Sequence, residues 1–324
     1  MDAGNSTGIH APAVSVVIPY YNQPDYLADC VGSVLAQTFD DVEVVVVDDA
    51  SPEPAAAAVL ARAEITDPRV RSVRHDVNKG LGAARNTGFR AARAELLLPL
   101  DSDDMLDRLF LERTVSVLRD DAAADCVFAD FQLFGLSDEV RAFELRADRD
   151  LLRGQWIPGP GVLMRRSLWQ NAGGYPESPL FRAGDEDWDF WLGAAERGFS
   201  ARHVPQALYR YRTHAGSMTS TTLSYGAVDT RKARYERHRP LFERHGGGRA
   251  FRAQGAQRSA VAARERGELR RALGLTGQSW LLTPFTPATL WTTLSVLAGA
   301  RPIQALQRLL ASPGRLRRAA RRRG

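Results

Sequence analysis

Four short apolar runs alternate with stretches of helical spacing in the first hundred residues, and this pattern constrains the fold more than any other feature. The runs are rich in valine, isoleucine and leucine, and they cover residues 14–19, 42–47, 70–73 and 95–100. Between them, apolar side chains recur every three or four residues, which is typical of helices. Strands that alternate with helices predict an α/β fold, in which helices cover both faces of a mostly parallel sheet.

Carboxylates follow two of these runs. Asp49 comes just after the second run, and Asp101, Asp103 and Asp104 follow the fourth. Ligands of open parallel sheets bind beyond the carboxyl ends of the strands. Asp101 and Asp103 are two residues apart, so extended backbone would point them the same way, toward one hard cation such as Mg²⁺ or Mn²⁺. The residues alone equally allow a solvated acidic turn that leads into a helix.

A glycine-bearing segment, NKGLGAARNTG, covers residues 78–88 and begins a predicted helix. Free backbone N–H groups at a helix start, together with Lys79 and Arg85, suit a phosphate-bearing ligand. The segment is neither a Walker loop nor the dinucleotide-binding fingerprint. This argues against a kinase and against a dehydrogenase.

Three segments, in order, resemble the nucleotide-sugar-binding half of family 2 glycosyltransferases, which have the GT-A fold. They cover residues 14–51, 78–88 and 98–104, and the resemblance as a whole extends over about residues 13–240. The resemblance implies a Rossmann-like sheet flanked by helices. It also implies that Pro19 and Tyr21, together with Asp49, hold the nucleobase and ribose of the donor, with Asp49 as the partner of a uracil.

The same resemblance assigns the diphosphate and metal residues. Arg85 would lie near the diphosphate, and Asp101 and Asp103 are similar to the family's DxD motif. That motif binds a divalent metal, Mn²⁺ or Mg²⁺, that bridges the two phosphates. His214 stands in an Arg-x-His-x-x-Ser context that lies by the diphosphate or metal in many relatives, although a lone histidine is as often structural.

A second acidic cluster, GDEDWDFWL, covers residues 184–192. The spacing of its tryptophans predicts a helix with one face in the core, and acids in a first helical turn can be no more than a cap. The cluster is similar to the family's ED motif, whose aspartate removes the proton from the acceptor hydroxyl. This points to Asp187 as the catalytic base, with Asp185 and Glu186 as alternatives.

The charge of the chain is concentrated at its C-terminal end. The formal net charge is +5, yet residues 269–324 contain ten arginines and no acidic residue. Residues 280–300 are apolar over nearly the length of a membrane span, but Pro284, Pro287 and several threonines interrupt them, which predicts insertion at a membrane surface rather than crossing. We expect an anionic membrane as partner and no nucleic acid, since no nucleic-acid-binding module is present. The alternative is a helical hairpin docked on the catalytic domain.

These observations predict three regions and one function. The regions are a disordered tail at 1–12, a GT-A domain at 13–240 (donor half 13–125, acceptor half 126–240) and a helical, basic, membrane-associating extension at 241–324. The expected function is inverting, metal-dependent transfer from a nucleotide-diphosphate sugar, above all a UDP-sugar, to a glycan or lipid-linked hydroxyl in cell-surface polysaccharide synthesis. The alternatives are a non-catalytic scaffold that binds sugar nucleotides or membranes, and a sugar nucleotidyltransferase. Two cysteines and no apolar leader predict a cytoplasmic protein, peripheral on the inner face of the plasma membrane.

Overall fold

The computed structural model describes residues 11–52, 54–182, 184–215 and 227–298. The chain forms two compact units, Met1–Ser220 and Thr221–Gly324. The predicted tail at residues 1–12 lies almost entirely outside the described residues, as does the arginine-rich segment after residue 300.

The first unit is a mixed β-sheet flanked by helices. Its strands are β1 (Val14–Tyr20), β2 (Val42–Asp48), β3 (Val70–Arg74), β4 (Leu96–Pro99), β5 (Met105–Leu106), β6 (Cys126–Gly135), β7 (Val140–Arg141), β8 (Val162–Arg165) and β9 (Ala201–Thr213). Its helices are α1 (Pro24–Leu35), α2 (Pro54–Thr66), α3 (Leu81–Ala91), α4 (Phe110–Asp120), α5 (Arg166–Ala172) and α6 (Glu186–Arg197), with 3₁₀ turns at Asp148–Leu152 and Pro179–Phe181.

The sheet order is β3-β2-β1-β4-β8-β6-β9-β5, with β7 paired to β6. Strands β1 to β4 are parallel, β8 is antiparallel to both of its neighbours, and β6 pairs with β9 in parallel. Every residue of β1 and β2 is buried, which explains their near-continuous valine runs. The α/β fold predicted from the alternating pattern is confirmed.

Register brings the polar strand ends together. Tyr20 at the end of β1 pairs with Asp48 at the end of β2, and Val17 pairs with Pro99 in β4. The residues that follow these three strands therefore share one edge of the sheet. Helix α6 contacts α3 and α5, and Trp191 of its predicted apolar face is fully buried.

The second unit consists of helices in its described part. They are α7 (Ala227–Arg237), α8 (Arg239–His245), α9 (Gly248–Glu265), α10 (Leu269–Leu282) and α11 (Pro287–Ala298). Helices α9, α10 and α11 share a small core of Ala260, Ala263, Ala272, Leu275 and Val296. Within the described ranges, no helix combines the length and the apolar character that crossing a membrane requires.

Candidate active site

Asp49 is buried and fixes the start of α3. Its carboxylate accepts hydrogen bonds from the backbone N–H groups of Lys79 and Gly80, both at 2.7 Å, and lies 2.7 Å from Nδ1 of His75. The other ring nitrogen of His75 lies 2.9 Å from the hydroxyl of Thr87. Three contacts occupy most of the roughly four acceptor positions of a carboxylate. Asp49 therefore holds the glycine-bearing loop against the end of β2.

Pro19 and Tyr21 lie at the neighbouring strand end. Pro19 is buried within β1, whereas Tyr21 is 46% exposed. The backbone around them is tied to the turn after β2, because the N–H of Asp49 donates to the carbonyl of Tyr20 at 2.9 Å. An exposed aromatic ring beside a rigid turn can stack on a planar ligand.

The three aspartates after β4 have different environments. Asp104 is 1% exposed, and it accepts hydrogen bonds from the hydroxyl of Tyr209 at 2.6 Å and from the backbone N–H of Arg212 at 2.7 Å. Burial raises the pKa of Asp104 well above its usual range, and the charges of Asp103 and Asp101 add to this effect. Asp104 thus connects residues 101–104, here called the acidic loop, to β9. The side chains of Asp101 and Asp103 stay partly exposed.

Asp103 meets His214, the histidine predicted at the diphosphate or metal. Oδ2 of Asp103 lies 2.9 Å from Nε2 of His214, and both side chains are about one-fifth exposed, at 20% and 18%. This separation is that of a hydrogen bond between an imidazole nitrogen and a carboxylate oxygen, two donor types that can also ligate a divalent ion. Among the residues that the structure describes, no cluster of three or more such donors is present. Two protein ligands suffice where phosphate oxygens and waters complete the shell.

Arg85 joins the acidic loop to the second acidic cluster. Its guanidinium is 2% exposed and donates to Oδ1 of Asp101 and to Oε1 of Glu186, both at 2.7 Å, while the ring of Tyr175 lies 5.2 Å from its central carbon. Burial alone would lower the pKa of Arg85, but the two carboxylates raise it well above its usual range. Arg85 is therefore a permanent cation between two loops that are 85 residues apart in sequence (101 and 186).

Asp187 lies at the start of α6, one residue after Glu186. Its Oδ2 accepts a hydrogen bond from the side-chain amide of Gln155 at 3.0 Å, and its Oδ1 accepts one from the backbone N–H of Trp188 at 2.7 Å. Gly159 approaches the same carboxylate so closely that a Cβ there would lie 2.2 Å from Oδ2. Asp185 differs, since it is exposed and has a left-handed φ of 71°.

Comparison with known proteins identifies the family. The sequence model of glycosyl transferase family 2 matches residues 15–172, which include the strand ends and the acidic loop described above. This region belongs to glycosyl transferase family 2.

Curated relatives support the same family. The chain is 28% identical over 225 residues to the uncharacterized glycosyltransferase EpsJ of Bacillus subtilis, covering 64% of this chain and 63% of that protein. It is 39% identical over 160 residues to the succinoglycan biosynthesis protein ExoO of Rhizobium meliloti, covering 49% and 44%. The chain thus spans less than two thirds of the length of these two relatives.

Solved structures confirm the predicted GT-A fold. Residues 1–349 of Staphylococcus aureus TarS superpose with a TM-score of 0.57 at 17% identity, covering 88% of this chain and 91% of that one. The mannosyltransferase PcManGT of Pyrobaculum calidifontis superposes with a TM-score of 0.52 at 20% identity, covering 90% and 86%. At these identities the likeness concerns the fold alone.

Sequence reasoning missed two residues of this family 2 site. His75 directly follows β3, so the strand-end argument that selected Asp49 and Asp101 would have selected it too. Glu186 was considered only as an alternative base, whereas the structure shows it bound to Arg85. No sequence signal could have revealed that contact, because it joins helices distant in the chain.

Proposed function

We propose that this protein is an inverting glycosyltransferase that moves a sugar from a nucleotide-diphosphate donor, above all a UDP-sugar, to a hydroxyl of a glycan or lipid-linked acceptor. The observation that carries the proposal is the buried bridge from Asp101 through Arg85 to Glu186, because it connects the acidic loop to the residue beside Asp187. A direct displacement needs a donor-side group and a base that are held in fixed positions relative to each other.

Asp187 acts as the general base in this proposal. The carboxylate takes the proton of the acceptor hydroxyl as the oxygen attacks the anomeric carbon, and the bond to the nucleoside diphosphate breaks on the opposite face, which inverts the configuration. Gln155 and the N–H of Trp188 hold the carboxylate in one orientation. Arg85 stabilises negative charge that develops near the acidic loop.

Asp103 and His214 would hold a divalent metal, Mn²⁺ or Mg²⁺, whereas Asp101, the third predicted ligand, accepts a hydrogen bond from Arg85. When bound, such an ion supplies positive charge for the departing diphosphate. The mannosyltransferase PcManGT was crystallised with GDP-Man and Mn²⁺, and TarS with UDP-GlcNAc and with UDP, which supports a metal and a nucleotide-sugar donor here. We assign Asp49, Pro19 and Tyr21 to the nucleoside of the donor.

The acceptor and the location follow from the relatives and from the charge of the chain. ExoO is named for succinoglycan biosynthesis, and the TuaG protein of Bacillus subtilis is named as a putative teichuronic acid biosynthesis glycosyltransferase, 29% identical over 214 residues. A cell-surface polysaccharide or its lipid-linked precursor is therefore the acceptor we propose. The ten arginines of the acid-free C-terminal segment favour a peripheral position on the inner, anionic face of the plasma membrane.

Calorimetric titration tests the donor site. Purified protein is titrated with UDP, GDP and dTDP, each with Mn²⁺ and with EDTA. We expect one diphosphate, UDP first, to bind with Mn²⁺ and to lose affinity in EDTA. If none of the three binds, a non-catalytic scaffold becomes the better interpretation.

Two variants test the base. Asp187→Asn should lower the rate of transfer by about 10²–10⁴-fold and leave UDP affinity unchanged, since general-base catalysis contributes roughly that factor. Asp185→Asn is the matched control, because Asp185 is exposed and lies two residues away. Full transfer by Asp187→Asn would show that another group is the base.

A further inference from the structure

Helices α10 and α11 expose large apolar side chains. The exposed fractions are 86% for Leu281, 80% for Phe285, 65% for Leu297, 54% for Leu294 and 45% for Leu290. These five residues, here called the apolar surface, lie at the end of α10, on the turn between the two helices and along α11. Water-soluble helices normally bury such residues.

Hydroxyl and amide side chains occupy the interior of the same helices. Thr289 and Ser279 are fully buried, and their hydroxyl oxygens lie 3.1 Å apart. The amide of Gln257 on α9 donates to Ser279 at 2.9 Å and to Thr289 at 3.1 Å, and the indole N–H of Trp280 donates to Thr293 at 2.9 Å. The polar groups therefore satisfy one another inside the bundle.

Along α11 the arrangement is inverted with respect to a helix in water, while the three helices also share the apolar core described above. Burying hydroxyls while exposing leucines loses hydrophobic stabilisation in water. In hydrocarbon the same arrangement is favourable, because small and hydroxyl-bearing residues join helices and large aliphatic residues face the lipid. The packing thus suits a non-aqueous surrounding for the apolar surface.

The charges lie at the other end of this hairpin. The connection between α10 and α11 is only four residues long, Thr286 bonds to Thr283 at the turn and Thr289 bonds to Ser279 farther from it, so the two helices run in opposite directions. Arg270 and Arg271 are exposed at the start of α10, away from the turn, beside Leu269 and Leu273, which are both 46% exposed. Arg271 is paired with Glu268 at 3.2 Å, and no acidic residue occurs after residue 268. From Arg271 to Leu281 the helix rises about 15 Å, which is half of a hydrocarbon core of about 30 Å.

From these observations we infer that the α10–α11 hairpin inserts its apolar surface into one leaflet of an anionic bilayer, with the arginines at the level of the headgroups. The inference deepens the proposed membrane association: it assigns the contact to a folded hairpin rather than to the arginine-rich tail alone. A bilayer is favoured over a protein partner because it matches both the apolar turn and the arginines at the opposite end of the hairpin.

Vesicle binding by the full chain tests the insertion. Wild type, Leu281→Gln/Phe285→Gln and Leu136→Gln are sedimented with phosphatidylcholine vesicles, with and without phosphatidylglycerol, at about 0.1 M and about 1 M salt, where the Debye length falls from about 10 to about 3 Å. Leu136 is the matched control, since it is 77% exposed in the first unit. All substituted residues are exposed, so circular dichroism and melting temperature should not change.

We expect wild type and Leu136→Gln to bind anionic vesicles with a component that survives high salt. The double variant should bind at least roughly tenfold more weakly, since each lost apolar side chain costs about a factor of ten or more in partitioning. Absence of vesicle binding by wild type overturns the inference. So does a wild-type dimer that the double variant dissociates without any vesicle binding, because a second copy would then cover the apolar surface.

The insertion, the tail contact and catalysis can be distinguished. If high salt abolishes vesicle binding and the double variant still binds at low salt, the insertion is overturned. The arginine-rich tail would then be the membrane contact. Asp187→Asn should bind vesicles as wild type does while losing transfer. A failure of the proposed catalytic function is thereby separated from a failure of the membrane inference.

Discussion

A single methyl group at Gly159 should inactivate the site without touching a charged residue. Gly159 lies against Asp187, and a Cβ there would be 2.2 Å from Oδ2 and 3.1 Å from Cγ. The glycine loop cannot easily move away. The indole N–H of Trp191 donates to the carbonyl of Pro158 at 3.0 Å, and the N–H of Gly161 donates to the carbonyl of Pro99 at 2.9 Å. In Gly159→Ala, the carboxylate of Asp187 is therefore the group that must move.

The size of the effect follows from that displacement. Oδ2 has to retreat by about 1 Å to reach ordinary contact, and in doing so it loses its hydrogen bond from Gln155. A misplacement of about 1 Å costs about 10²-fold in rate. Overpacking of this kind costs about 1–3 kcal/mol of unfolding free energy, so the protein should remain folded.

Initial rates of sugar transfer and calorimetric UDP titration measure the two consequences. We expect kcat of Gly159→Ala to fall about 10²-fold, with UDP affinity close to wild type. Gly154→Ala is the control from the same loop, because a Cβ at Gly154 meets nothing within 4 Å. A Gly159→Ala enzyme with kcat within about twofold of wild type would refute the assignment of Asp187 as a precisely held base.

Two further predictions concern buried acidic groups. Tyr209→Phe removes the hydroxyl that donates to Asp104 at 2.6 Å, so urea unfolding should show a loss of about 1–3 kcal/mol, and an unchanged midpoint would contradict this role. Burial raises the pKa of Glu186 from 4.5 to about 7 against the opposing effect of Arg85, and the charge of Asp187 adds to the rise. The native state then keeps a proton that the unfolded chain releases, so stability falls as pH rises from about 4.5 to about 7. When the free energy of unfolding is measured with urea at several pH values, Glu186→Gln should lack this part of the decrease. If wild type and Glu186→Gln show the same dependence of stability on pH, the prediction is wrong.

The strand ends show how far sequence reasoning reaches into the site. Asp49 and Asp101 were selected because they follow buried strands, and both lie at the predicted edge of the sheet. The same rule applied to β3 would have found His75, which contacts Asp49. The roles of the three neighbouring aspartates were not predictable. Asp104 is buried by Tyr209, a residue of β9 whose pairing with β6 includes a register shift.

The C-terminal unit also has features that could not be predicted from the sequence. The sequence revealed an apolar stretch with interspersed threonines and an arginine-rich end, but not which residues face inwards. Packing against α9 decided it, since Gln257 draws Ser279 and Thr289 into the interior. The domain boundary likewise depends on packing.

The sequence by itself determined the order of strands and helices, the polar strand ends and the family, because alternating burial and local spacing are properties of neighbouring residues. Only the tertiary structure decided which carboxylates are buried, which residue each of them meets, and which face of the C-terminal hairpin is exposed. The physical reason is distance along the chain. The environment of Asp101, Glu186 or Asp104 is set by partners that lie 16 to 105 residues away, and no local pattern encodes those contacts.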